Sequence, residues 1–138
     1  MKRWPLAAVS IALAGAAGFA LRAPLAADFD CTLGDKISAD LGDGVVLHSC
    51  SWEKTPGSFV RTGPLHLVRN DILILQLYTD RDGKLQGDYR SWSDAGVLIE
   101  SGQYDNGLKE GEWRRIDSSG RVSVVVFRSG KPVRRESR

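Results

Sequence analysis

The side chains that could carry out catalysis are few and poorly placed for it. The 138-residue chain has two histidines, His48 and His66. Ser49 and Ser51 lie near His48, but adjacent residues of a strand point to opposite faces, and no nucleophile-elbow motif is present. His66 is predicted to be an exposed strand residue. We therefore predict a protein that is not an enzyme, with no catalytic residue and no cofactor.

One acidic stretch resembles the start of a calcium-binding loop. Asp80 and Asp82 bracket a turn that ends at Gly83. A calcium loop needs further oxygen ligands at fixed later positions, and Lys84 and Leu85 stand there instead. The stretch is therefore predicted to form a turn, and no metal site is predicted.

The cysteine pair, Cys31 and Cys50, predicts a disulfide if the chain is exported. Closing a loop of about 20 residues stabilises a fold by about 3 kcal/mol on the chain-entropy model. A metal or redox pair is an alternative, but His48 would supply only one more ligand and no C-x-x-C motif is present. Two free thiols are the remaining alternative.

The N-terminal segment has the features of an export signal. Lys2-Arg3 precede an apolar run from Trp4 to Leu21, and small residues lead to Ala27. We predict a cleaved signal peptide over residues 1–27. An uncleaved membrane anchor is the alternative, since the run is close to the shortest length that spans a bilayer. Both interpretations place the rest of the chain in the periplasm or outside the cell.

Composition indicates a globular domain, with 42% hydrophobic and 26% charged residues and a net charge of +2. The charge is unevenly distributed: residues 28–60 carry six acids against two lysines, whereas residues 121–138 carry six bases against one glutamate. The basic segment has no interleaved aromatic residues after Phe127, and no basic stripe follows the body of the chain. Nucleic-acid binding is therefore not predicted.

The elements that would position any site form a repeat. Gly63, Gly87 and Gly111 are 24 residues apart, and aligned hydrophobic positions follow each of them. A constant period of this size indicates a repeat array. Tight turns that favour positive φ recur between the strands. The glycines assigned to the repeat and its turns are Gly83, Gly87, Gly96, Gly107, Gly111, Gly120 and Gly130.

The fold class predicted is all-β, a single antiparallel meander of consecutive β-hairpins built from about three 24-residue repeats. In the middle unit the strands are expected at 87–93 and 97–104, and in the last unit at 111–117 and 121–128. In the first unit they are expected at 63–69 and 72–80, the second covered on both faces. The turn of this unit departs from the pattern, because Ile72 replaces the glycine of the sister units. The domain boundaries are 1–27 for the signal, 28–62 for a disulfide-pinned segment with a short strand, 63–133 for the repeats and 134–138 for a basic tail.

The repeat resembles the MORN-type repeat, and more closely its bacterial variant. The residues that carry the resemblance are Asp82-Gly83, Gly87-Asp88-Tyr89, Trp92 and Gly96, and then Asn106-Gly107, Gly111-Glu112-Trp113, Ile116 and Gly120. The first unit matches only through Gly63, Leu65 and Val68. The resemblance covers about half the chain. It implies a β-hairpin array used for binding or scaffolding, with some members antitoxin-like and others linked to membrane lipids and to dimerisation.

Aromatic residues are the candidate contact surface of this array: Tyr89, Trp92, Tyr104 and Trp113. The alternative is that they pack the repeats against each other. The spacing of three between Tyr89 and Trp92 places them on opposite faces of a regular strand, unless a bulge intervenes.

The predicted function is an exported, non-enzymatic repeat protein that acts as a protein-binding or scaffolding module in the cell envelope. Alternatives are an immunity or antitoxin-like protein that neutralises an envelope toxin, and a module that binds lipid or cell wall. The expected partner is another protein, with a membrane or cell-wall surface as the alternative, and the oligomeric state stays open.

Overall fold

The computed structural model describes residues 29–137, which form one antiparallel sheet of nine strands in chain order. The predicted signal peptide and its cleavage site at Ala27 lie outside the described residues. The strands are β1 (Asp35–Gly42), β2 (Val45–Thr55), β3 (Ser58–Arg69), β4 (Ile72–Thr79), β5 (Gly87–Trp92), β6 (Leu98–Asp105), β7 (Leu108–Ile116), β8 (Val122–Arg128) and β9 (Lys131–Ser137). The prediction of an all-β hairpin meander is confirmed.

Four of the hairpins close through two-residue turns in which both central residues have positive φ. In the first repeat these are Asn70 and Asp71, with φ of 49° and 68°. Positive φ at both positions matches the right-handed twist of the flanking strands, and Asn and Asp tolerate it better than most residues. The first unit therefore needs no glycine at Ile72. The other three turns are Asp43–Gly44, Asn106–Gly107 and Ser129–Gly130.

The remaining turns between repeat strands share a second design. The backbone N–H of Gly96 donates to the carbonyl of Ser93, and that of Gly120 donates to the carbonyl of Asp117. The turn that contains Asp80 is closed in the same way by Gly83. The Asp80 carboxylate also accepts the backbone N–H groups of Asp82 and Lys84. This stretch forms a turn, as the sequence predicts, and the Asp80 carboxylate stabilises the turn by accepting hydrogen bonds from its backbone.

Successive hairpins are joined by a side chain that repeats every 24 residues. Gln86 Oε1 accepts the backbone N–H of Asn106 at 2.8 Å, and a Glu110 carboxylate oxygen accepts that of Ser129 at 2.7 Å. Each acceptor directly precedes a glycine of the 24-residue series. The residue before the glycine therefore caps the turn of the next hairpin.

The two faces of the sheet differ in character. One row of register partners crosses all nine strands on the first face, which we call the polar face. The row consists of Ser38, His48, His66, Gln76, Arg90, Ser101, Arg114, Val124 and Glu136. The adjacent row lies on the opposite face, because side chains alternate along a strand; we call this the apolar face. That row consists of Ala39, Leu47, Leu67, Leu75, Ser91, Glu100, Arg115, Ser123 and Ser137, and it is apolar over β1–β4.

The front of the chain contains more strand than the sequence suggests. Residues 35–42 form a full edge strand, and β2 reaches Thr55, so that only Pro56 and Gly57 separate it from β3. Polar residues and glycines hide β1 in the sequence, and the disulfide that precedes it fixes it against β2.

The expectation that the strand from Ile72 is covered on both faces is wrong. Of the residues in β4, only Leu73 is buried. Residues 29–137 form a single layer, so the apolar residues of this strand pack sideways on neighbouring strands.

A candidate interaction face

The apolar face carries a cluster of aliphatic side chains over β1–β4, which we call the leucine patch. Register pairs Leu47 with Leu67, Leu67 with Leu75 and Leu65 with Leu77. The patch consists of Ile37, Leu47, Leu65, Leu67, Leu75 and Leu77. None of the six is buried: five are partly exposed, and Ile37 is 38% exposed. Because contiguous exposed apolar patches are uncommon on monomeric soluble proteins, this face is the leading candidate for an interaction surface.

A groove opens at one end of the leucine patch. It has a volume near 670 Å³ and is lined in part by Leu65, Leu77 and Leu85. Phe59 stands at its rim with 67% of its surface exposed. An apolar hollow and a projecting aromatic ring therefore lie side by side on the same face.

The apolar face is filled differently over β5–β8, where aromatic rings pack on each other. Trp113 lies with its ring centroid 5.2 Å from that of Tyr89, 5.0 Å from that of Tyr104 and 6.4 Å from that of Phe127. The Lys109 ammonium lies 4.2 Å from the Trp113 ring centroid, within the range of a cation–π contact. This aromatic cluster covers itself, in contrast to the leucine patch.

Burial in the aromatic cluster affects its tyrosines. Desolvation, with the nearby Glu100 carboxylate, raises the pKa of Tyr89 above its ordinary value. Desolvation likewise raises the pKa of Tyr104, with smaller contributions from Tyr89 and Glu100. Both phenols therefore stay neutral under ordinary conditions.

Two bulges determine which residues pack around Trp92. Ile74 in β4 and Ile99 in β6 are extra residues in the pairing with their neighbouring strands, so that Leu73 pairs with Val68 and Leu98 pairs with Trp92. Trp92 then packs with Val68 and Leu73 in a buried cluster, against which Leu98 also lies. Trp92 therefore does not join the rings of the aromatic cluster.

The four aromatics predicted as a contact surface differ in exposure. Tyr89 and Tyr104 are half-buried, whereas Trp92 and Trp113 retain only 7% and 4% exposure. The two tryptophans are therefore packing residues, as the alternative interpretation predicts.

The histidines lie on the polar face, where each ring has a structural contact. His48 Nδ1 lies 2.7 Å from Ser38 Oγ. His66 meets the Phe29 ring edge-on, with the centroids 4.7 Å apart. The prediction that His66 is exposed is wrong, since it is 7% exposed. The cause is the N-terminal segment, which the predicted Cys31–Cys50 disulfide holds against the sheet; the structure confirms this disulfide.

The surroundings of His66 change its titration. Burial lowers the pKa of His66, and the positive charge of His48 and Lys36 lowers it further. The imidazole is therefore held neutral.

Within residues 29–137, no group of three or more His, Cys, Asp or Glu side chains is arranged to hold a metal ion. The described part of the chain also contains no helix that could span a membrane. Ser49 is 1% exposed, and its hydroxyl has no hydrogen-bond partner. It lies in the leucine patch between Ile37 and Leu65.

Comparisons with protein-family models, with curated proteins and with solved structures find no match to this chain. The resemblance to the MORN-type repeat therefore stays a prediction from the sequence. The geometry of the sheet is the remaining guide to function.

The leucine patch is the feature that sequence reasoning missed. Its signal is the alternation in Leu65-His66-Leu67 and in Leu75-Gln76-Leu77, which marks strands with one apolar face. The second of these segments follows Leu73-Ile74 directly, and the longer apolar run hides the alternation.

Proposed function

We propose that this chain is an exported, non-enzymatic protein-binding module of the cell envelope, and that it binds through the apolar face of its sheet. The observation that supports the proposal is the leucine patch, which is partly exposed in a single-layer sheet. A sheet with one apolar face gains stability when that face is covered.

The positions of the histidines are consistent with a role other than catalysis. His66 is packed beneath Phe29, and His48 is paired with Ser38. Each ring therefore has a structural role in holding the front of the sheet. The disulfide fits the proposed location, because disulfides persist in oxidising compartments.

The test compares two neighbouring positions of β4 that face opposite ways. A photo-crosslinking amino acid replaces Leu75 on the apolar face or Gln76 on the polar face, and crosslinking is carried out in intact cells. We expect protein adducts from position 75 and far fewer from position 76. Equal adducts from both positions, or none from either, would contradict the proposal.

Two narrower functions are outcomes of the same experiment. An adduct with a co-expressed toxin would support the antitoxin-like function that the resemblance implies. Alternatively, position 75 crosslinks to lipid and the purified chain sediments with phospholipid vesicles. That pair of results would replace the proposal with a lipid-binding function.

A further inference from the structure

The groove at the end of the leucine patch has a polar side as well as an apolar side. Leu65, Leu77 and Leu85 line the apolar side. Ser51 and Arg61 line the polar side, where they are partners in the β2–β3 pairing. A cation and a hydroxyl therefore lie at the edge of an apolar hollow.

The Arg61 guanidinium is an exposed charge without a counter-ion. In the part of the chain that the structure describes, its side chain forms no ion pair and no hydrogen bond. Asp35 lies on the other side of Ser51, two strand spacings or about 10 Å from Arg61 along the sheet. The Glu53 carboxylate accepts the backbone N–H of Gly57. The planar donors of Arg61 are therefore available to an added carboxylate, whose geometry they match.

A second polar group beside the groove also lacks a partner. Ser49 lies between Ile37 and Leu65, which both line the groove. Its side chain is 1% exposed, and its hydroxyl makes no hydrogen bond within residues 29–137. Because most buried hydroxyls are hydrogen-bonded, this one indicates a place where a ligand can supply the missing partner.

The dimensions of this surface suit a short extended segment. Four strands about 4.8 Å apart, each contributing about five residues at about 3.3 Å, give the leucine patch about 320 Å². That is less than half of the area of about 800 Å² that each partner buries in a standard interface. From Ser51 to Leu47 strand β2 advances four residues, or about 13 Å, and their partners on β3 are Arg61 and Leu67. Four extended residues of a peptide cover the same length.

We infer that the groove and the leucine patch bind the free C-terminal tail of another protein. The terminal carboxylate lies on Arg61 and Ser51, and the apolar side chains of the last residues lie on Leu65 and Leu67. A C-terminus supplies the anion and the alternating apolar side chains in one extended segment, and such termini are a recurring mode of recognition. Phe59, which is 67% exposed at the rim, covers the last side chain. This inference rests on the proposed function, since it names the part of the partner that the apolar face binds.

The test is fluorescence polarisation with the purified chain, its disulfide intact, and labelled six-residue peptides. The peptides carry Leu, Ile, Val or Phe at the last and third-last positions, and each is made as a free acid and as a C-terminal amide. The variants are Arg61→Gln and the matched control Arg115→Gln, which changes an exposed arginine of the apolar face away from the groove. Circular dichroism and thermal unfolding check that each variant is folded.

We expect the free acids to bind more tightly than their amides by about tenfold or more, since hydrogen bonds to charged groups are the stronger ones. Arg61→Gln should remove this difference, and Arg115→Gln should retain it. Equal binding of acids and amides, or an equal loss in both variants, would overturn the inference. No binding of any peptide up to about 1 mM, the weak end of the range of specific affinities, would also overturn it.

Laurate is the competing occupant, because it joins a carboxylate to an apolar chain without a peptide backbone. It is titrated against the same three proteins. Laurate bound through Arg61, with no binding of the peptides, would overturn the inference in favour of a fatty-acid site.

Crosslinking at position 75 separates the two proposals. Protein adducts from position 75, together with free acids that bind through Arg61, support both. Protein adducts with equal binding of acids and amides overturn the C-terminal tail and leave the binding module standing. No adduct and no peptide binding overturn both.

Discussion

Gly102 sets the depth at which the largest ring of the aromatic cluster lies. A β-carbon built on Gly102 would lie 2.2 Å from the Trp113 ring, so the ring occupies the space of the missing side chain. The φ of Gly102 is not positive, in contrast to Gly87, where a β-carbon meets nothing within 4 Å and φ is 87°. One glycine is therefore needed for space and the other for backbone conformation.

The Gly102→Ala variant tests this distinction. We expect it to lower the free energy of unfolding by about 1–3 kcal/mol, the usual cost of overpacking, and to change the near-ultraviolet circular dichroism of Trp113. Gly87→Ala should cost about 1–2 kcal/mol through its backbone and leave that signal intact. Urea unfolding measures both variants, and an unchanged Trp113 signal in Gly102→Ala would contradict the packing described.

His66 makes stability depend on pH. Its pKa is lowered in the folded chain, mainly by burial, whereas the unfolded chain takes up a proton near about pH 6.5. The unfolded state thus binds more protons as pH falls below about 6.5, and the free energy of unfolding falls until the folded pKa is passed.

We expect the wild type to lose stability between about pH 7 and pH 5, and His66→Gln to lose less over the same range. Urea unfolding at several pH values measures the loss. Titration of the His66 ring by NMR provides an independent check, because a midpoint at or above about 6.5 would rule out a pKa lowered by burial.

At the scale of elements, the disulfide acts on both the edge strand and the histidine. It joins Cys31 to Cys50 across 19 positions and holds Phe29 over His66. Replacing both cysteines by serine should lower the free energy of unfolding by about 3 kcal/mol. It should also raise the pKa of His66 towards its ordinary value, because the covering ring is released.

Chemical unfolding and NMR titration of the double-serine variant measure these two effects. Stability lost without any change in the titration of His66 would show that Phe29 keeps its position without the disulfide. The single-residue variant Phe29→Ala, with the disulfide intact, isolates the contribution of the ring.

The strands that could be predicted are those whose sequence repeats. The 24-residue series places β5–β8 to within about three residues, because each glycine and each turn pair imposes a backbone conformation. The edge strand β1 has no such signal: almost all of its residues are exposed, and it becomes a strand only by pairing with β2. The neighbours of Trp92 were equally hidden, since the bulges that bring Leu73 and Leu98 to it depend on the register of strand pairs.

Part of the candidate interaction face could be predicted from the sequence. The aromatic cluster was visible as Tyr89, Tyr104 and Trp113, although their mutual packing was only one of two alternatives. The leucine patch brings together residues from four strands, and its continuity depends on the registers of three pairings. Local sequence shows alternation but does not fix those registers.

At the scale of the whole molecule, stability is distributed along a row of strands, each held by its neighbours. In such an array the ends open first. The two ends differ, because β1 is fixed through the disulfide-linked segment, whereas β9 pairs with β8 and contains no cysteine.

Hydrogen exchange should therefore be faster at the β8–β9 pairing than at the β1–β2 pairing. The measurement is exchange under native conditions, read by NMR or by mass spectrometry of peptides. In the double-serine variant the β1–β2 amides should accelerate, with β8–β9 unchanged. Equal protection at both ends of the wild type would contradict this asymmetry.

Gln86 and Glu110 cap the equivalent turn in successive units. The number of strands in the sheet can therefore change by whole units. A second copy of residues 87–110 inserted after Glu110 would restore the Glu-Gly junction at both ends and add two strands, or about 10 Å of width. Both edge strands and the alternation of the faces would be unchanged. Duplication of this segment would thus widen the sheet by two strands at a time. Each added unit would bring its own strand pairing and the side chain that caps the next turn.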